Sequence, residues 1–131
     1  MKVWTWSVIG VVALGFVVAV TNMSAVAHHA SAPFYDSSKS AEADGVVTRF
    51  LFRNPHSFLF LDALSENGET IAWEIEMGTA LSMSRRGWTP DTIKVGDRIR
   101  AVGQPSRAPG TYGMCCAELT NADNTPIRPA D

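Results

Sequence analysis

Residues 70–77 read TIAWEIEM, with apolar and polar residues alternating at every step. Ile71, Trp73, Ile75 and Met77 share one face; Ala72, Glu74 and Glu76 share the other. Successive side chains of a strand point to opposite sides, so this pattern fits a β-strand with one buried face and contradicts the 3.6-residue period of an amphipathic helix. It assigns Trp73 and Ile75 to a core and Glu74 and Glu76 to solvent. A half-buried strand needs partners, because even a two-stranded hairpin is marginal in water.

Those partners are legible on both sides. Residues 46–52 (VVTRFLF) are β-branched and aromatic, as strands prefer, and Arg53-Asn54-Pro55 ends them because proline lacks a ladder N–H. Residues 57–64 (SFLFLDAL) form a second strand, and Ser65-Glu66-Asn67-Gly68 is a hairpin turn whose Asn-Gly accepts positive φ. After residue 77 the period changes. Thr79 caps a short helix reaching about Arg86, with Gly87 just past its end and Arg85 and Arg86 near its negative pole. Thr89-Pro90-Asp91 restarts a helical turn, and Val95-Gly96-Asp97 is a turn. Residues 98–104 (RIRAVGQ) and 112–119 (YGMCCAEL) are the fourth and fifth strands, separated by the Pro- and Gly-rich residues 105–110.

The order β-β-β-α-β-β predicts an all-β fold. It is the order of a small five-stranded OB-like barrel with a short helix between the third and fourth strands; another small barrel or a sandwich has compatible spacing. Phe50, Phe52, Phe58, Phe60 and Trp73 are assigned to the barrel core, with stacking on a ligand as the alternative for some of them. Residues 43–121 make the barrel, residues 28–42 an aperiodic N-terminal arm, and residues 122–131 a polar C-terminal tail.

The N-terminus points to export. Lys2 is the sole charge before Asp36, residues 8–20 (VIGVVALGFVVAV) are continuously apolar, and Ala25-Val26-Ala27 follows. These are the parts of a signal peptide over residues 1–27, so cleavage after Ala27 makes His28 the new terminus. The implied location is periplasmic or secreted. The alternative is an uncleaved anchor, since residues 3–27 carry no charge and are long enough to span a bilayer.

The 131 residues carry 11 Lys and Arg against 13 Asp and Glu. An acidic chain lacks the basic face that displaces counterions from nucleic acid, so nucleic acid is not an expected partner. There is no GxxxxGK[ST] and no GxGxxG. Two adjacent cysteines, Cys115 and Cys116, make no disulfide framework. Neighbours on a strand point apart, so the two are expected not to bond to each other. Cys115 belongs with Ala117 and Leu119 facing inward, and Cys116 with Met114 and Glu118 facing outward. There it could pair with another chain or join Met114 as a soft Cu(I) ligand.

Ala27-His28-His29, Arg53-Asn54-Pro55-His56, Trp73-x-Ile75-Glu76, Arg86-Gly87-Trp88 and Val95-Gly96-Asp97, in this order, resemble a family of small secreted bacterial proteins of unknown function. The resemblance covers nearly the whole chain after residue 27. It implies export and a small β-barrel, and it brings no activity. The chain departs from the family pattern twice. Ala30 stands where a serine follows the two histidines, and Met114-Cys115-Cys116-Ala117 stands where Ala-Arg-Ser-Val is usual.

All three histidines are candidate ligands. His28 as a free terminus offers an amine and an imidazole, His29 can bind with the amine and the intervening amide, and His56 adds another imidazole. Nitrogen donors of this kind suit Cu(II). The competing reading makes Asn54-Pro55-His56 a turn whose side chains satisfy backbone groups. No Ser/His/Asp or Cys/His order supports an enzyme. The expectation is an exported, non-catalytic binding module, with copper its most specific ligand. The alternative is an accessory or docking subunit of a periplasmic enzyme complex, meeting a partner protein around Trp88 and residues 105–110.

Overall fold

A computed structural model describes residues 31–127. The expected signal peptide, His28, His29 and the end of the tail lie outside these residues. Five strands and one helix follow the expected order: β1 (Ala41–Leu51), β2 (Phe58–Leu64), β3 (Thr70–Glu76), α1 (Ala80–Ser84), β4 (Arg98–Pro105) and β5 (Gly113–Asn121). The strands close into a barrel in the order β1-β2-β3-β5-β4. Every neighbouring pair is antiparallel except β3–β5, which is parallel. The OB-like, nearly all-β architecture is therefore as the sequence predicts.

β1 starts earlier than the sequence implies. Residues 41–45 (AEADG) have weak strand propensity. They pair nonetheless with β4, Ala43 lying opposite Ala101 and Gly45 opposite Ile99. Small residues are required there. A Cβ on Gly45 would collide with the backbone of Asp62 and Ala63 on β2. On the outer face Arg100 grips Glu42 through two hydrogen bonds of 2.6 and 2.8 Å, and Arg98 meets Asp44 at 3.0 Å.

The core is aliphatic. Val47, Leu59, Leu61, Ile75, Ile99 and Met114 are all at most 1% exposed. This corrects the expected aromatic core. Leu59 and Leu61 take the inward positions of β2, so Phe58 and Phe60 point outward and stay half-buried. Arg49 covers the Phe60 ring at 4.1 Å from its centroid, and Arg53 lies 5.7 Å from that of Phe58. In β1 a bulge at Thr48 sets two residues against one on β2 and shifts the alternation. Phe50 thereby packs on the core, with Phe52 tilted against it at 5.8 Å. Trp73 is half-buried. It rests on the core and meets Tyr112 edge to face at 5.4 Å, while Ile75 is the fully buried residue of β3.

Helix α1 has the expected cap, the Thr79 side chain accepting from Ser82 N at 3.0 Å. It stops at Ser84, two residues short of expectation, with Arg85 as C-cap and Gly87 at φ +83 closing the end. Thr89-Pro90-Asp91 is the expected turn, closed by Thr92 N donating to Thr89 O. Thr79→Ala should lower stability by about 1 kcal/mol, the usual worth of such a cap, as measured by urea unfolding.

Candidate functional site

The residues after β1 fold back on the start of α1. Arg53 O accepts from Ala80 N at 3.1 Å, and Asn54 Oδ1 accepts from Leu81 N at 3.3 Å. Two of the N–H groups that a helix start leaves without partners are satisfied in this way. The Asn54–Pro55 peptide is cis. Ser57, completely buried, clasps the base of the loop: its hydroxyl donates to Arg53 O and accepts from Arg53 N, both at 3.3 Å. Its backbone bonds to Gly78 O and Met77 N tie the loop to the end of β3. The turn reading of Asn54 is thus correct for Asn54, whereas His56 has a different partner.

His56 Nδ1 lies 2.7 Å from Glu76 Oε1. The other carboxylate oxygen, Oε2, accepts from the Tyr35 hydroxyl at 2.6 Å. Glu76 is therefore not the freely solvated residue that alternation implies. Its side chain is 26% exposed and joins the loop after β1 to the N-terminal arm, while Glu74 stays exposed as expected. Burial, reinforced by the Glu76 carboxylate, holds the Tyr35 phenol above its ordinary pKa of 10.0, so it remains a donor. With Nδ1–H facing a carboxylate, the neutral His56 ring has its lone pair on Nε2. That nitrogen has no hydrogen-bond partner among the described residues.

The arm is pinned where the sequence shows only an aperiodic stretch. Tyr35 bridges to Ser106, Asp36 N donates to Pro105 O, and Arg107 N donates to Phe34 O. Arg107 Nε reaches the carbonyls of Ala32 and Tyr35 at 3.0 and 3.1 Å. Residues 105–107, the first part of the 105–110 loop expected to meet a partner, hold the arm of their own chain.

On β5 the expected alternation fails at the cysteines. A second bulge sets Cys116 and Ala117 against Gly103 alone, and Cys116 takes a φ of +56. Met114, expected outside, is fully buried in the core opposite Ile75; Cys115, expected to face inward with the core, is instead buried on the Glu76 side of the strand, and Cys116 is exposed as expected. Met114 is therefore not available to join Cys116 as a surface ligand. Cys115 sits opposite Glu76 in the parallel ladder, and burial, with Cys116 beside it, pushes its thiol up to about 12.

Trp88, the other part of the expected docking patch, lines a mainly apolar cleft of about 460 Å³ with Met77, Leu119, Pro126 and Ile127. Among the described residues no group of three or more His, Cys, Asp and Glu side chains is arranged to hold a metal ion. Of the three sequence-assigned histidines the structure places His56, which shares its partner Glu76 with Tyr35 and has Ser57 at the base of its loop, two residues that the sequence does not single out. Neither carries a pattern of its own: Tyr35 lies in the aperiodic arm, and Ser57 reads as the first residue of a strand.

No curated protein and no solved structure matches the chain. A family model does match, over residues 16–115, which include β1 to β4 with the His56 loop and Glu76 and end at the first cysteine of the pair. The chain thus belongs to a family of unknown function, DUF6152.

Proposed function

We propose that the protein is an exported, non-catalytic binding module that takes Cu(II), with His56 as one nitrogen ligand and the mature terminus at His28 and His29 as the source of the others. The observation that carries this reading is the orientation of His56. A histidine that ligates a metal almost always gives its other ring N–H to a carboxylate or carbonyl, which fixes the tautomer and raises the basicity of the ligating nitrogen. Glu76 holds His56 Nδ1 in this way at 2.7 Å, and Nε2 is left with its lone pair. One imidazole does not make a copper site, so further donors are needed. His28 and His29 enter by their chemistry: export would supply a terminal amine, an amide and two imidazoles within two residues, a donor set that suits tetragonal Cu(II).

The test uses the chain recovered after export, its intact mass first fixing the terminus at His28. One Cu(II) should bind with nitrogen ligation visible by electron paramagnetic resonance. An added Met ahead of His28 should weaken binding sharply, because His28 then loses its free amine. His56→Ala should change the ligand field. Glu76→Ala, which removes only the orienting carboxylate, should cost about 10–100-fold in affinity. Equal copper affinity in the wild type, the Met-extended chain and the His56 variant would overturn the reading.

A second reading, an accessory or docking subunit, has one feature in its favour. The cleft beside Trp88, mainly apolar with Glu118 and Thr120 also on its wall, is open to solvent and large enough for an inserted side chain of a partner protein. It moves to first place if copper is not bound.

A further inference from the structure

Adjacent cysteines rarely form a disulfide. Consecutive Cα atoms lie about 3.8 Å apart across a trans peptide, below the usual separation in disulfides, and on a regular strand the two Cβ atoms diverge. Here three features act against that rule. The bulge in β5 takes Cys116 out of the ladder, and the left-handed φ of +56 at Cys116 turns its side chain back toward its neighbour. Gly103 on β4 makes room for the bulge: a Cβ there would stand 2.6 Å from Cys115 O and 2.9 Å from Ala117 Cβ. As a result Cys115 Sγ and Cys116 Sγ are 2.8 Å apart, closer than unbonded sulfurs normally rest. Both are free thiols. A non-glycine residue at positive φ is uncommon and persists where the surroundings hold it. In this chain what it achieves is the convergence of two sulfurs.

We propose that Cys115 and Cys116 are a redox pair, converted by a low-molecular-weight disulfide into an intrachain vicinal disulfide and back. The exposed Cys116 reacts first. Its thiolate attacks one sulfur of the oxidant RSSR, forms a mixed disulfide and expels RS⁻, which takes up the proton lost by Cys116. The Cys115 thiolate then attacks Cys116 Sγ, forms the Sγ–Sγ bond and expels the second RS⁻, which is protonated in turn. The pair loses two electrons and two protons, and the oxidant becomes two RSH. Cys115 cannot begin the sequence, because it is buried and its thiol is pushed up to about 12. The product ring spans a single peptide bond and is strained, a property of disulfides that are readily reduced again.

The experiment treats the reduced full chain with glutathione disulfide, quenches with acid, and reads intact mass and alkylation under denaturing conditions. The expected product is a monomer lighter by two hydrogens, with both thiols blocked to alkylation and both recovered after dithiothreitol. Cys115→Ser should stop at a stable glutathione adduct on Cys116, and Cys116→Ser should resist the oxidant. A wild-type protein that ends as a Cys116-linked dimer, or as a stable Cys116 adduct with Cys115 still alkylatable, would overturn the proposal. This outcome is read on the wild type alone, so it does not depend on either variant folding.

Discussion

Leu61→Ala will cost the barrel about 3–4 kcal/mol, and Phe60→Ala, one residue away with the larger side chain, about 1 kcal/mol. Leu61 is completely buried at the centre of β2 and meets Val47 and Trp73 across its two ladders. Removing its branched end opens a cavity in a closed barrel, where the opposite walls cannot collapse toward each other without breaking ladder bonds. Leu→Ala changes of this kind lose both the transfer free energy of the missing carbons and a cavity term. Phe60 faces outward, half-buried under Arg49. Its removal gives up a cation–π contact worth about 0.5–1 kcal/mol and some covered surface, without a cavity. Urea denaturation of the two variants gives the comparison directly. A costlier Phe60→Ala would mean that β2 is shifted by one residue, because a one-residue slip exchanges the two faces.

The same pair of residues explains what could be read from the sequence. Most strand positions follow from composition and turns, since β2, β3 and the second half of β1 are rich in β-formers and end at Pro, Gly or Asn-Gly, whereas the first half of β1 carries neither signal. The face each residue takes followed from alternation only where the ladder is regular. In β3 the alternation runs unbroken and Ile75 is where it should be. In β2 aromatic and aliphatic residues alternate with one another, FLFL, so both faces are apolar and hydrophobicity does not choose between them. The choice is made by volume: a five-stranded barrel has a narrow interior, which leucine fills and a row of phenylalanines would overfill. In β1 and β5 single-residue bulges shift the phase, and a bulge depends on two strands at once. The neighbours of Met114 along its own strand therefore point it outward, whereas the bulge turns it into the core.

The candidate site divides along the same line. His56 stood out as one of three histidines, and Asn54 as a turn residue. Glu76 was visible only as half of an alternating pair with Glu74, and the two are separated by what lies over them. Glu74 meets solvent; Glu76, at the last position of β3, meets the loop after β1 and the arm. Tyr35 reaches Glu76 across 41 residues of sequence, and no local pattern encodes a contact of that span.

Glu76→Ala should therefore destabilise the protein by about 2–3 kcal/mol near pH 7, far more than a solvated strand glutamate would. The carboxylate accepts from Tyr35 at 2.6 Å and from His56 at 2.7 Å, and hydrogen bonds to a charged partner contribute roughly 1.5–3 kcal/mol each when well covered. The partial exposure of all three side chains holds the two together to about what one well-covered bond contributes. Alkaline pH separates the components. The folded protein holds Tyr35 above its ordinary 10.0, through burial first and the Glu76 carboxylate second. Its contribution is complete below about pH 10 and is lost as pH rises through the folded value, because the unfolded chain releases the phenolic proton first. Cys115 acts in the same direction from a lower starting point, its thiol rising from 9.0 to about 12. Wild-type stability should thus begin to fall near pH 9 and fall faster above pH 10. Cys115→Ala removes the earlier part, Tyr35→Phe removes the later part, and Glu76→Ala weakens the later part while leaving the share that burial contributes. His56→Ala should leave the alkaline profile unchanged. If Glu76→Ala were as stable as the wild type with the same alkaline profile, Glu76 would be the solvated residue that alternation alone implies, and His56 would lose the orientation on which its role as a ligand depends.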